Sequence, residues 1–269
     1  MQSISSLRRI GHRTAVHDAT DEQHTMRRSI ALHLLPGVLL LAFFVVVGPR
    51  VERLGAPSFL GLMLGAASII LPFEIGVLLY QGKRRNGRVS LEGVVLYREP
   101  IPRWHYVALV VPGLAWMVIA FFVIAPPVDE FVIGRWFAWV PDWFFGFSKA
   151  PDQYPPSVML LSVGLALLLN GIAGPLVEEL YFRGYLLPRI SWLGGWAPLV
   201  SGVLFSLYHF FTPWQQLPRL LVTVPLGYLV RWNKNIYWGI VVHCTFNTGC
   251  MLLLLASVLG WVPMPAPLR

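Results

Sequence analysis

The residues best suited to chemistry are two adjacent glutamates and an arginine that follow a strongly apolar run. Glu178 and Glu179 stand in the segment 174–184, although the whole chain has only 13 acidic residues. On a helix, Glu179 and Arg183 are four residues apart and share a face, so they can form an ion pair. Glu178 points about 100° away from Glu179, so we interpret it as a carboxylate free to take and return a proton. The alternative is an ordinary helix end with solvated charges at the cytoplasmic surface.

Three more polar side chains lie within apolar runs further along the chain. His209 comes one turn after Phe205 near the end of such a run, and His243 and Asn247 are four residues apart on one helix face. A single intramembrane histidine is more often a hydrogen-bonded core residue than a ligand. Several costly polar groups in successive spans are better explained by one shared site.

Composition indicates which elements must position these residues. Hydrophobic residues make up 56% of the chain, charged residues 13%, and the mean hydropathy is +0.62. A typical globular chain has about 25% charged residues. Period-2 alternation over about ten residues is absent, which argues against an outer-membrane barrel. We therefore predict an all-α, polytopic membrane helical bundle of about seven transmembrane helices.

The predicted spans are long apolar runs separated by polar or basic segments. The sixth is short and contains Pro225. The aromatic stretch 131–147 is interpreted as an interfacial loop or a helix lying on the membrane, with an eighth, broken span as the alternative. The seven predicted spans are approximately 30–47, 57–80, 105–125, 155–175, 195–211, 217–230 and 236–259.

The same pattern divides the chain into four parts. Residues 1–29 are polar and Arg-rich, and the first apolar run begins too late for a signal peptide, so we expect a cytoplasmic tail. Residues 30–152 hold the first transmembrane helices and their loops. Residues 153–262 hold the polar constellation and form the core of the predicted site, and 263–269 is a short Pro-rich tail.

Basic residues predict the orientation. Most of the 21 lysines and arginines fall in the first tail, in the loop 81–104 and after spans four and six, which lie on one side if the N-terminus is cytoplasmic. The C-terminus is then outside, and Glu178 faces the cytoplasmic half. Because orientation accounts for the net charge of +8, we exclude a nucleic-acid partner. We expect a multi-pass protein of a bacterial cytoplasmic membrane.

The remaining polar residues in apolar runs have simpler interpretations. Glu74 has no obvious companion in sequence, so we expect it to be buried against another helix or to reach the inner surface. His33 and Asn170 are treated in the same way. Cys244 and Cys250 are about 9 Å apart along a helix, too far for a disulfide, and are interpreted as core packing.

Together these residues resemble the CAAX prenyl endopeptidase and bacteriocin-processing (CPBP, or Abi) family of intramembrane proteases. The family pattern is E-E-x-x-x-R, then F-x-x-x-H, then H-x-x-x-N. Here these motifs are Glu178, Glu179 and Arg183, then Phe205 and His209, then His243 and Asn247. Order and spacing both match, and the resemblance covers roughly residues 155–260.

The resemblance implies roles for these residues. Glu178 and His209 would activate a water molecule, and His243 and Asn247 would stabilise the oxyanion. A zinc ion bound by Glu178, His209 and His243 is a further expectation, although Glu178 would then have to be both ligand and base. The partners implied are the lipid bilayer and a membrane-associated or lipidated protein or peptide.

We therefore predict an intramembrane (metallo)endopeptidase, a hydrolase acting on peptide bonds. The alternative is a catalytically silent relative that acts as a bacteriocin-immunity or scaffold protein. A proton-coupled transporter is a third reading, but it predicts inverted repeats that the sequence lacks. If the protease reading holds, the four predicted catalytic side chains should line one polar cavity open toward the cytoplasmic half. Glu179 should turn away from that cavity toward Arg183.

Overall fold

The computed structural model describes residues 22–147 and 151–263, and within these ranges the chain forms a bundle of helices. Each predicted apolar span corresponds to one long helix, so the all-α, polytopic class is confirmed. Helices α2, α3 and α4 each contain π-helical stretches. The long helices are α1 Met26–Arg53, α2 Ser58–Asn86, α3 Arg103–Trp136, α4 156–186, α5 Ala197–Tyr208, α6 Gln216–Asn233 and α7 Tyr237–Val258.

Five helical runs among the described residues are long and apolar enough to cross a membrane. They include Pro156–Tyr208, a run of 53 residues that contains both α4 and α5. A 3-10 segment, Leu187–Trp196, joins these two helices, and the chain kinks there at Ile190 and Gly194. The positive φ of Gly194, 57°, is a conformation that glycine adopts without strain. Helix α6 is not among the five runs.

The helices differ from the approximate predicted segments at three places. The chain becomes helical at Met26, so the described end of the predicted tail 1–29 belongs to α1; Thr25 caps this helix through its hydroxyl. Helix α4 continues well beyond residue 175 because its charged residues find buried partners. The aromatic stretch 131–147 contains no eighth span: it extends α3 and then forms the 3-10 turn Asp142–Phe145. The rest of the N-terminal tail and residues 264–269 lie outside the described residues.

Aromatic side chains of α4 and α5 form the core of the bundle. Tyr181, Phe182 and Tyr185 from α4 pack with Phe205 and Tyr208 from α5, and all five are buried. The Phe182 and Phe205 rings meet edge to face, with centroids 4.8 Å apart. Large rings packed in this geometry contribute strongly to core energetics, so the relative position of the two helices is well determined.

Helix α1 approaches α5 very closely at Gly37. A Cβ atom at this position would overlap the backbone carbonyl of Tyr208, so only glycine permits the contact. Because Tyr208 is held from this side, its hydroxyl is directed toward α4.

The basic segments meet at one end of the bundle, which we call the basic end. Glu22 forms ion pairs with Arg85 (3.3 Å) and Arg189 (3.4 Å) there. The backbone of the loop between α2 and α3 bonds to that of Gly184 and Lys234 at the same end. At the opposite end, the Glu52 carboxylate accepts a hydrogen bond from the Tyr154 hydroxyl. The segments predicted to share the cytoplasmic side thus lie together, while the membrane side they face stays a prediction.

Candidate active site

The ion pair expected from the i,i+4 spacing is present on α4. Arg183 Nη1 lies 3.2 Å from Glu179 Oε1, and the two side chains are only 3% and 0% exposed. The Arg183 guanidinium also stacks 4.0 Å from the centroid of the Phe205 ring, a cation–π contact. The helix widens into a π-helix from Glu179 to Leu186, a local geometry that is frequent at functional sites.

His243 lies between the two carboxylates. Its Nδ1 donates to Glu179 Oε1 at 3.0 Å, and its Nε2 is 3.9 Å from Glu178 Oε2. Gly239, one turn earlier on α7, makes room for Glu179, since a Cβ there would come within 3.2 Å of Oε2. Glu179 therefore orients His243 as well as pairing with Arg183, a role that the sequence alone did not reveal.

Glu178 has a different environment from its neighbour. Its side chain is 13% exposed, and the Tyr208 hydroxyl donates to its Oε1 at 3.3 Å. The described residues show no lysine or arginine in ion-pair contact with it. Glu178 thus lies outside the Glu179–Arg183 ion pair, as helix geometry predicted.

His209 is the first residue after α5, where the backbone leaves helical geometry. Its Nδ1 lies 2.9 Å from the carbonyl oxygen of Phe205 and donates to it. In a neutral imidazole with Nδ1 protonated, Nε2 holds the free lone pair. His209 can therefore accept a proton, or bind a ligand, through Nε2.

Asn247 connects α7 to α4. Its Nδ2 donates to the backbone carbonyl of Asn170 at 3.0 Å, and the Thr248 hydroxyl donates to the next carbonyl, that of Gly171. A side-chain amide has two N–H donors, so one donor of Asn247 is left for another partner. Asn170, which we expected only to be buried, supports this arrangement through its backbone.

The structure brings the four predicted catalytic residues together around one cavity of about 440 Å³. Glu178, His209, His243 and Asn247 all line it, together with Phe205 as an apolar wall. Glu179 does not line the cavity and faces Arg183 and His243 instead. The predicted convergence is therefore present, whereas the catalytic roles of these residues stay predictions.

The cavity lies along α7 away from the basic end of the bundle. His243 lies about 9 Å along α7 from the basic end, and Met251, which also lines the cavity, is about 12 Å further on. Below Glu178, the space toward the basic end is filled by buried side chains such as Tyr181 and Val95. The lining residues thus lie on the side of Glu178 away from the basic end, while the expected opening toward the cytoplasmic half stays a prediction, as does the membrane orientation.

Sequence reasoning missed three residues of this site. Tyr208 precedes His209 but carries no motif of its own. Glu74 was assigned no companion, yet it is fully buried and close enough to Glu178 and Tyr208 for their charges and dipoles to interact. Arg219 is a buried cation that lines the cavity. An arginine in a weakly apolar span was the only available signal for it.

The zinc set predicted from the resemblance does not form a ready metal site. Among the described residues, no three His, Cys, Asp or Glu side chains are placed to share an ion. His243 Nδ1 is already bonded to Glu179, and its Nε2 faces Glu178 at 3.9 Å. As it stands, the arrangement of Glu178, His209 and His243 does not fit a zinc ion.

Comparisons with known proteins agree with the motifs. Residues 160–249, about one third of the chain, match the family model described as type II CAAX prenyl endopeptidase Rce1-like. A segment of 77 residues is 35% identical to the UPF0177 protein YxdF of Lactococcus lactis, and covers 29% of this chain and 43% of that protein. The match thus spans less than half the length of that relative. No solved structure gives a significant match. The resemblance expected from the motifs is confirmed to this extent: residues 160–249 are similar to the Rce1-like family of type II CAAX prenyl endopeptidases.

Proposed function

We propose that this chain is an intramembrane endopeptidase that hydrolyses a peptide bond in a membrane-associated or lipidated protein or peptide. The observation that carries the proposal is the convergence of Glu178, His209, His243 and Asn247 on one cavity from three separate parts of the chain. The Rce1-like match over residues 160–249 supports the same chemistry.

Glu178 and His209 are the groups proposed to activate water. Each presents a proton acceptor to the cavity: a carboxylate that pairs with no lysine or arginine among the described residues, and the Nε2 lone pair of a ring anchored through Nδ1. A water molecule between them would lose one proton to Glu178 as its oxygen bonds to the substrate carbonyl carbon. When the C–N bond breaks, that proton would pass to the leaving amine, so the products are a carboxylic acid and an amine, which ionise to a carboxylate and an ammonium group.

His243 and Asn247 are the groups proposed to stabilise the negative charge that develops on the carbonyl oxygen. Glu179 accepts the Nδ1 proton of His243 and fixes the ring orientation; with a proton also on Nε2, His243 would donate to the oxyanion. Asn247 offers the N–H that its bond to Asn170 leaves unused. Removing one such donor in other enzymes lowers the rate by about 100- to 1000-fold. No step of this mechanism uses a metal ion.

The proposal places the protein across a bacterial cytoplasmic membrane with its N-terminus inside. The clustering of basic segments at one end of the bundle supports this orientation. The partners are then the bilayer and a peptide substrate that enters the cavity. Nucleic acid is not among them, since the basic residues flank apolar helices.

The test compares the membrane proteome of cells carrying the wild type, Glu178→Gln or Glu130→Gln. Glu130 lies on α3, is exposed and does not line the cavity, so its replacement is a matched control. An uncut precursor should accumulate with Glu178→Gln and not with Glu130→Gln. Equal peptide patterns in all three strains would contradict the proposal and favour a silent immunity or scaffold protein.

A further inference from the structure

Glu74 is a carboxyl group buried behind the lining of the cavity. It is 0% exposed, and neither of its oxygens has a hydrogen-bond partner among the described residues. It stands on α2 one turn after Ile70, which lines the cavity, and one turn before Leu78, which is buried in the core. The part of α2 over Leu71–Asn86 packs against the turn Gly174–Glu178 of α4. A second carboxyl group thus lies next to the proposed site without lining the cavity.

Charged and titratable groups of two other helices face Glu74, and two of them already have partners. Arg183 forms its ion pair with Glu179. The Tyr181 hydroxyl donates its hydrogen to the backbone carbonyl of Leu32 on α1, at 2.9 Å. Neither group therefore supplies a cation or a donor that Glu74 needs as an ionised carboxylate. The groups that face Glu74 are Glu178, Tyr181 and Arg183 from α4, and Tyr208 from α5.

The Tyr208 hydroxyl stands between the two carboxyl groups. Its one hydrogen is donated to Glu178 Oε1 at 3.3 Å, and Glu74 approaches the same hydroxyl from α2. The hydroxyl oxygen can still accept a hydrogen bond. A protonated carboxylic acid can donate one, whereas an ionised carboxylate can only accept. Burying an ionised carboxylate without a partner also costs far more than burying the neutral acid. Both arguments favour a protonated Glu74.

We propose that Glu74 is a protonated carboxylic acid that donates a hydrogen bond to Tyr208 Oη and thereby directs the Tyr208 hydroxyl toward Glu178. An ionised Glu74 would compete with Glu178 for the one hydroxyl hydrogen and would add a second negative charge to the buried site. Glu74 is then a positioning residue, which acts on Glu178 through Tyr208 and does not touch the substrate. Its effect on catalysis rests on the proposed function, in which Glu178 takes a proton from water.

The first measurement is infrared difference spectroscopy of the purified full-length protein in lipid nanodiscs at neutral pH, which needs no substrate. The carbonyl band of a protonated carboxylic acid is separate from the bands of carboxylates and amides, and its frequency changes with hydrogen bonding. The wild type should show such a band, which Glu74→Gln removes and Tyr208→Phe shifts. The proposal is overturned if Glu74→Gln removes no such band, or if Tyr208→Phe leaves the band at its wild-type frequency.

The second measurement is the rate of cleavage of the precursor that accumulates in Glu178→Gln membranes. Glutamine at position 74 keeps a donor in its amide, whereas leucine has a similar size and no donor. Glu74→Gln should therefore change kcat by less than about twofold, and Glu74→Leu should lower it by about three- to tenfold, the effect of one neutral hydrogen bond. KM should stay the same in both variants, because Glu74 does not line the cavity.

Two controls separate positioning from packing. Leu78→Ala removes a buried side chain one turn further along α2, outside the cavity, so it should lower thermal stability and leave kcat of the folded protein unchanged. In the Tyr208→Phe background, Glu74→Leu should lower kcat no further, because the hydroxyl through which Glu74 acts is gone. An equal loss of kcat in Leu78→Ala, or a further full loss in the double variant, would contradict the positioning role.

The two measurements also separate this proposal from the proposed function. If the wild type does not cut the precursor, the proposed function fails, and the infrared band still decides whether Glu74 is protonated and bonded to Tyr208. If the wild type cuts it and Glu74→Leu is equally fast, the positioning role is wrong while the proposed function stands. The same conclusion follows if Glu74→Gln loses as much activity as Glu74→Leu, since an ionised carboxylate would then be the form that acts.

Discussion

Replacing Glu179 by glutamine should destabilise the protein much more than the same replacement at Glu178. Glu179 is fully buried and contacts both Arg183 and His243 at about hydrogen-bond distance, and removing one partner of a buried ion pair costs about 3–5 kcal/mol. Glu178 is partly exposed, and a glutamine oxygen still accepts the Tyr208 hydroxyl, so its loss should be about 1 kcal/mol. The free energies of unfolding should therefore differ by about 2–4 kcal/mol between the two variants.

The measurement is equilibrium unfolding of purified protein in mixed micelles, titrated with a denaturing detergent. A double-mutant cycle with Arg183→Met is the control: in that background Glu179→Gln should cost less, because no cation is left without its partner. Equal destabilisation by Glu178→Gln and Glu179→Gln would refute the division of roles between the two glutamates. Additive changes in unfolding free energy for Glu179→Gln and Arg183→Met would show that the ion pair between these residues does not contribute to stability.

Three further outcomes are expected. The topology is tested with cysteines introduced at the exposed positions Leu54 and Val89, after both native cysteines are replaced by alanine. The two should react with membrane-impermeant reagents from opposite sides of the membrane; reaction from the same side would overturn the predicted topology. Tyr208→Phe should reduce cleavage about tenfold or more by removing the hydroxyl bound to Glu178, with unfolding free energy changed by about 1 kcal/mol; unchanged cleavage would exclude Tyr208 from the site. Burial and nearby guanidinium groups lower the pKa of His24 from 6.5 to about 3. The unfolded chain therefore binds a proton that the folded protein excludes as pH falls from 6.5 toward 3, and stability should drop by up to about 1.4 kcal/mol per pH unit. His24→Asn should reduce the fall in unfolding free energy between pH 6.5 and 3. An unchanged pH dependence in this variant would contradict the role assigned to His24.

Local patterns predicted much of the fold and of the site. The apolar runs located the seven helices because burial in a bilayer requires long uncharged segments. The i,i+4 rule located the ion pair of Glu179 and Arg183 because that geometry is set by one helix alone. The motifs also predicted that His209 and Asn247 lie close together, and both line the same cavity.

Contacts between distant parts of the chain could not be predicted in this way. The bond between His243 and Glu179 joins residues 64 positions apart, and no spacing rule reports it. Glu74 was set aside as isolated because its neighbours come from α4 and α5. The position of the cavity relative to the basic end depends on how side chains fill the bundle, which is a property of packing rather than of pattern.

Glu178, His209, His243 and Asn247 are proposed to form one hydrolytic site. The most direct test is to purify the precursor that accumulates in Glu178→Gln membranes and to measure its cleavage by purified wild type and by each single variant. Wild type should cut it, and Glu178→Gln and His209→Gln should be slower by at least about 100-fold while remaining folded. Cleavage by Glu178→Gln at the wild-type rate would contradict the account.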